Sequence, residues 1–306
     1  MGVMMAVRRQ YAIDLEDGCR LSVSDVGSSK AVGTVVLLHS WAMASRAWDD
    51  VIAKIEFISP NIRVIAYDAR GHGSSSAAES CGIGGLTDDL VAVLSRLVPS
   101  GPIVLVGHAM GGSTMLNLAG RYRELIEERV DGAVFIATPA SPLRSVGRRS
   151  KTYDVLAKIN SLALRRGTIG RMPISVLRQA IRAVGGDGLS RRALDAATSQ
   201  VVESDPRTML ALLESLVSAD LTGAAEAYSG IPVVVMSAGA DRLVPPSYSR
   251  QISEELDGAR HVSVPGSGHF LPIEKPDEVA SVIVGAVVDA LGANRLSSSA
   301  VSGCRE

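Results

Sequence analysis

Three short stretches gather the residue types that exchange protons or turn sharply. They are His39-Ser40-Trp41, Gly107-His108-Ala109-Met110-Gly111-Gly112, and Asp241 with His269, 28 positions apart in Gly239-Ala240-Asp241-Arg242-Leu243-Val244-Pro245 and Gly266-Ser267-Gly268-His269-Phe270. Histidine is the side chain whose ordinary titration lies near neutral pH, so these stretches suit acid–base work. Other chemistries are disfavoured. The five histidines lack the spacing of a metal site, and no cysteine joins them. The glycine-rich stretch 107–112 has no lysine to hold a phosphate. The Gly-x-Gly-x-x-Gly dinucleotide pattern is absent from the first strand–helix turn.

The surrounding pattern predicts what must position these residues. Tyr11–Leu15 and Arg20–Ser24 flank Glu16-Asp17-Gly18-Cys19 and read as an antiparallel hairpin at a sheet edge. Short β-branched apolar runs at Thr34–Leu38, Arg63–Tyr67, Ile103–Val106, Val130–Ile136, Val233–Ser237 and His261–Val264 read as strands. Helical spacing occupies Ala44–Ile55, Ile83–Leu97, a segment ending near Tyr122, and Pro276–Leu291. Alternating strands and helices predict an α/β fold, a mostly parallel sheet with helices on both faces. Each of the three stretches follows a predicted strand, where open α/β sheets place their sites.

The alternation stops between 140 and 225. That segment holds helical patterns such as Val176–Val184 and Met209–Val217 and no convincing buried strand. It reads as a helical cap inserted into a core made of 1–139 and 226–291, followed by a flexible, serine-rich tail at 292–306. The chain has 306 residues and a net charge of −1. This near-neutrality averages a cap at +6 (13 Lys and Arg, 7 Asp and Glu) with a remainder at −7. Nothing global points to nucleic acid or an anionic membrane. Such a cap suits the steering of a mildly anionic substrate, or simply solvates its outer helix faces.

Aromatic residues are only 4% of the chain, so a pocket would be walled mainly by aliphatic and small side chains. Three widely spaced cysteines, Cys19, Cys81 and Cys304, form no disulfide framework and read as free thiols. The N-terminus lacks the order of a secretory signal, and no apolar run reaches spanning length. A soluble cytoplasmic protein is expected.

Taken together, order, spacing and strand context resemble the α/β-hydrolase fold family over about Tyr11 to Leu291. The resemblance implies a Gly-x-Ser-x-Gly turn in which small residues flank a nucleophilic serine. Gly107, Gly111 and Gly112 match, but the nucleophile position holds Ala109. A methyl group cannot attack a carbonyl or form an acyl intermediate. The resemblance further implies His269 as general base, Asp241 as its orienting carboxylate, and the backbone N–H groups of Trp41 and Met110 as oxyanion donors. Ser40, Trp41, Met110, Leu243 and Val244 are expected to shape the substrate site. Ser40 departs from the family's His-Gly, and its hydroxyl adds a hydrogen-bonding group to the site. His39 is expected to hold the oxyanion loop, His108 to point into the scaffold, and Asp68 and Arg70 to fix the loop at His72.

The function implied is a serine hydrolase of a small apolar carboxylic ester or lactone, with no cofactor and no metal. Ala109 has two readings: an engineered serine-to-alanine substitution that inactivates a hydrolase, or a natural relative without a nucleophile. Retention of Asp241, His269 and the turn favours the first. Outside this class stand a non-catalytic ligand-binding protein, and a lyase or cofactor-independent oxygenase that uses His269 as a base. Composition and motifs leave the oligomeric state open.

Overall fold

A computed structural model describes residues 8–28, 30–78, 81–142, 173–185 and 189–302, with side chains of the last helix given as far as Ala293. Eight strands form one sheet: β1 Arg8–Asp14, β2 Arg20–Val26, β3 Gly33–Leu38, β4 Ile62–Tyr67, β5 Ile103–His108, β6 Gly132–Ile136, β7 Val233–Ala238 and β8 Arg260–Val264. Their order is β1-β2-β4-β3-β5-β6-β7-β8. β1 and β2 form the expected antiparallel edge hairpin, and β2 also runs antiparallel to β4. All other pairs are parallel.

The central strands β3, β5, β6 and β7 are buried throughout, which is why they read as continuous apolar runs. Side-chain alternation splits them between two cores. Val36, Leu105, Phe135 and Val235 face α2 (Ile83–Leu97), α3 (Met110–Arg121) and α8 (Pro246–Glu254). Val35, Val104, Val134 and Val234 face α1 (Asp49–Ile58) and α10 (Pro276–Ser302). A short α4 (Arg123–Arg129) follows α3, and a short α9 (Leu271–Glu274) precedes α10.

Between β6 and β7 lie α5 (Ile174–Val184), α6 (Arg191–Glu203) and α7 (Pro206–Ser218). Ser190 and Asp205 cap α6 and α7 by accepting from the N–H groups of Ala193 and Thr208. Residues 143–172 and 186–188 of the expected cap lie outside the described residues. So does Cys304, while Cys19 and Cys81 are free and buried.

Two of the boundaries that differ from the sequence reading have a clear physical cause. The helix expected at Ala44–Ile55 begins as a 3-10 turn, Ser45–Trp48, before α1. A single turn at three residues per turn leaves almost the same apolar pattern as one at 3.6. The last helix continues past Leu291 to Ser302, into the stretch expected to be a tail. Its extension contains no proline, and a lone Gly292 costs a helix only about 1 kcal/mol. No helix among the described residues is long and apolar enough to cross a membrane.

Candidate active site

The turn from β5 into α3 is sharp because its neighbours have no side chains. A Cβ on Gly107 would lie 2.4 Å from the Gly112 nitrogen, and one on Gly111 would lie 2.3 Å from the Leu38 carbonyl oxygen. A Cβ on Gly112 would fall within 1.9 Å of Thr138 Oγ1. At the apex, Ala109 has φ 48° and ψ −104°, a region that side-chain-bearing residues rarely occupy. Its backbone is tied on both sides: Ala109 N–H donates to the Ile136 carbonyl (2.9 Å), and its own carbonyl accepts from Ser113 N–H (2.9 Å). Such strain costs on the order of 1–3 kcal/mol and persists only where the surroundings enforce it. Met110 starts α3, so its N–H precedes the first intrahelical bond and sits at the positive end of the helix dipole.

Asp241 and His269 follow β7 and β8 and meet. His269 Nδ1 lies 2.9 Å from Asp241 Oδ2, with both side chains almost fully buried. The other carboxylate oxygen, Oδ1, accepts from the backbone N–H groups of Leu243 and Val244, each at 2.8 Å. An acceptor-only carboxylate opposite Nδ1 places the imidazole proton there and leaves Nε2 as the basic nitrogen. Nε2 faces the Ser40 hydroxyl at 3.4 Å. The His269 backbone is also fixed: its N–H donates to the Val184 carbonyl at the end of α5 (3.1 Å). Its carbonyl accepts from His108 Nε2 at 2.7 Å. Burial, with the nearby His269 ring second, pushes His108 well below the usual histidine range, so it serves as a neutral donor.

Two further neutral histidines shape the loop after β3. His39 donates from Nδ1 to the Ser40 carbonyl (2.8 Å) and accepts the Ala69 N–H at Nε2 (2.9 Å). His72 donates from Nδ1 to the Arg70 carbonyl (3.0 Å) and accepts the Ala42 N–H at Nε2 (3.1 Å). Burial lowers the pKa of both, that of His72 to about 3. Asp68 accepts from the N–H groups of Ser45 and Ser74, and Arg70 pairs with buried Asp89 and with Asp17. Ala42, at φ 61°, sits in this loop.

A cavity of about 150 Å³ opens between the sheet end and the inserted helices. It brings together Ser40, Trp41, Ala109, Met110, Leu243, Val244 and His269, all singled out in the sequence, while Asp241 stands behind the imidazole. Trp41 spans to α7, its indole N–H donating to the Met209 carbonyl at 2.9 Å. The sequence reading missed the helical wall: Leu177, Ile181 and Val184 of α5, with Phe270 beside His269. The spacing i, i+4, i+7 of the first three marks an apolar helix face, and that signal was present in the sequence. Gln200 of α6 was missed too; its side-chain oxygen accepts the Ala44 N–H at 2.8 Å and ties α6 to the β3 loop. An imidazole oriented by a carboxylate, two candidate backbone donors and an apolar wall are parts that acyl transfer can use.

Comparison with known proteins finds similar chains. The chain is 25% identical over 273 residues to the sn-1-specific diacylglycerol lipase ABHD11 of Mus musculus, covering 86% of this chain and 83% of that protein. It is 26% identical over 280 residues to the bifunctional esterase/perhydrolase DCH of Acinetobacter calcoaceticus, covering 87% and 95%. The crystal structure of the enol-lactonase from Burkholderia xenovorans LB400 superposes with a TM-score of 0.74 at 22% identity, covering 91% of this chain and all of that one. Residues 35–282, from the first buried strand through the helix after His269, match the profile of the alpha/beta hydrolase family, and the chain belongs to that family.

Proposed function

We propose that this chain carries the site of a carboxylic ester or lactone hydrolase, present as a serine-to-alanine form at position 109. His269 is the general base, Asp241 fixes its tautomer, and the N–H groups of Trp41 and Met110 receive the oxyanion. Leu243, Val244, Trp41, Met110 and Ser40 contact the substrate, and 140–225 acts as the cap that selects it. The observation that carries this reading is Ala109 at φ 48°, ψ −104°. A strained turn that thrusts a side chain into a cavity beside an Asp–His pair is of use to a nucleophile and of little use to a methyl group. No acyl-enzyme forms at residue 109 in this chain.

Similarity to a lipase and to a bifunctional esterase/perhydrolase supports the substrate class, since lipases and esterases act on acyl–oxygen bonds. The test is Ala109→Ser assayed against a panel of esters and lactones. A gain of about 10³-fold or more on one of them supports the reading. No turnover of any member by a folded Ala109→Ser variant sinks it. A second reading, a ligand-binding protein without turnover, rests on the same apolar cavity and its methyl group at 109. It requires binding without hydrolysis even after Ala109→Ser.

A further inference from the structure

We propose that Ser40 is the nucleophile of this chain, working through the same His269–Asp241 pair in place of residue 109; this rests on the hydrolase reading above. Three observations carry it. First, the Ser40 hydroxyl is the group that faces the basic nitrogen: Oγ lies 3.4 Å from His269 Nε2. That distance is long for a formed hydrogen bond, as catalytic contacts commonly are before substrate binds. Second, Ser40 is 2% exposed yet lines the cavity, so its hydroxyl is shielded from bulk water and open to a ligand. Its backbone is held, its carbonyl accepting from His39 Nδ1 (2.8 Å) and from Met43 N–H (3.1 Å). Third, the other serine on the cavity wall is engaged elsewhere, Ser113 donating to the Pro139 carbonyl at 3.3 Å. Ser40, His269 and Asp241 thus form a continuous relay, Oγ to Nε2 and Nδ1 to Oδ2.

The chemistry balances without a co-reactant other than water. The Ser40 proton passes to His269 Nε2 as Oγ bonds to the acyl carbon. The bond from the acyl carbon to the alcohol oxygen then breaks, and that oxygen takes the proton from Nε2. Water gives a proton to Nε2 and attacks the acyl carbon. The bond to Oγ breaks, the acid leaves, and the proton returns to Ser40.

The test is covalent labelling with a small fluorophosphonate, read by intact mass and peptide mapping. A serine attacks phosphorus, fluoride leaves, and the serine proton passes to the base. Four proteins are compared: the unaltered chain, Ser40→Ala, Ala109→Ser, and the double variant Ser40→Ala with Ala109→Ser. The proposal expects one adduct on Ser40 of the unaltered chain and none on Ser40→Ala. It expects an adduct on residue 109 of the double variant. Because the first arm needs no substitution, misfolding of a variant cannot mimic success. A double variant that labels beside an unaltered chain that does not, or that labels away from Ser40, overturns the Ser40 assignment and leaves the hydrolase reading standing. No labelling on any of the four, all folded by circular dichroism, overturns both.

Discussion

Replacing Asp241 by asparagine changes the charge of one buried side chain and almost none of its shape. Its consequence follows from three hydrogen bonds. Oδ1 accepts two backbone N–H groups, from Leu243 and Val244, and Oδ2 faces His269 Nδ1. An amide has one oxygen and one NH₂ group. Turning the NH₂ group toward Leu243 and Val244 would set donors against two donors, so the amide oxygen takes that side. The NH₂ group then faces Nδ1, which must give up its proton to accept. The imidazole proton moves to Nε2, and the base points an N–H at the substrate. The fold keeps both backbone bonds, so Tm should stay within a few degrees. Turnover should fall by about 10⁴-fold, the cost of a wrong-tautomer histidine in a serine-protease triad, equivalent to about 5 kcal/mol of barrier. The assay is kcat/KM on the best ester or lactone, with Asp241→Asn placed in the Ala109→Ser background. A loss of less than tenfold in a folded variant would refute the tautomer argument.

Three more outcomes follow from the same structure. Gly112→Ala should destabilise by at least about 2 kcal/mol, because its Cβ meets Thr138 within 1.9 Å. Gly120→Ala in the same helix, where a Cβ meets nothing within 4 Å, should stabilise by about 0.5–1 kcal/mol; thermal melts of the pair should move in opposite directions. Acid should weaken the fold through its buried neutral histidines. Since the folded pKa of His72 is depressed to about 3, the unfolded chain takes up the proton first as pH drops below about 6.5. That contribution is complete above this pH and is lost toward about 3, and His72→Gln should flatten the slope of stability against pH by about 1.4 kcal/mol per unit. Trp41→Phe removes the bond to the Met209 carbonyl, worth about 0.5–1.5 kcal/mol, and should raise KM about 2- to 10-fold with a smaller effect on kcat. An unchanged KM would separate that indole from substrate binding.

Much of the fold was legible because its signals are local. Thr34–Leu38 and Val233–Ser237 read as strands since a strand buried on both faces needs an unbroken apolar run. Gly107, Gly111 and Gly112 read as a tight turn for the steric reason that the distances now display. The pairing of Asp241 with His269 was legible only through their places after consecutive strands, β7 and β8, which the sheet lays side by side. What stayed hidden depends on groups without a sequence signature. Leu243 and Val244 were expected as pocket walls, and they also hold the Asp241 carboxylate through their backbone N–H groups. His39 and His72 reach backbone amides about 30 residues away, a relation that appears only once β3 and β4 are adjacent. The stripe Leu177, Ile181, Val184 announces an apolar face, but a periodic pattern does not say what that face covers.

The site itself is tested most directly by the crystal structure of Ser40→Ala soaked with an ester or lactone that the Ala109→Ser variant turns over. With no hydroxyl at position 40 or 109, the intact ligand should persist. Its carbonyl oxygen should lie within about 3 Å of the N–H groups of Trp41 and Met110, with His269 Nε2 facing the acyl carbon. An intact ligand bound elsewhere, or one in the cavity with its carbonyl turned away from both N–H groups, would contradict the account.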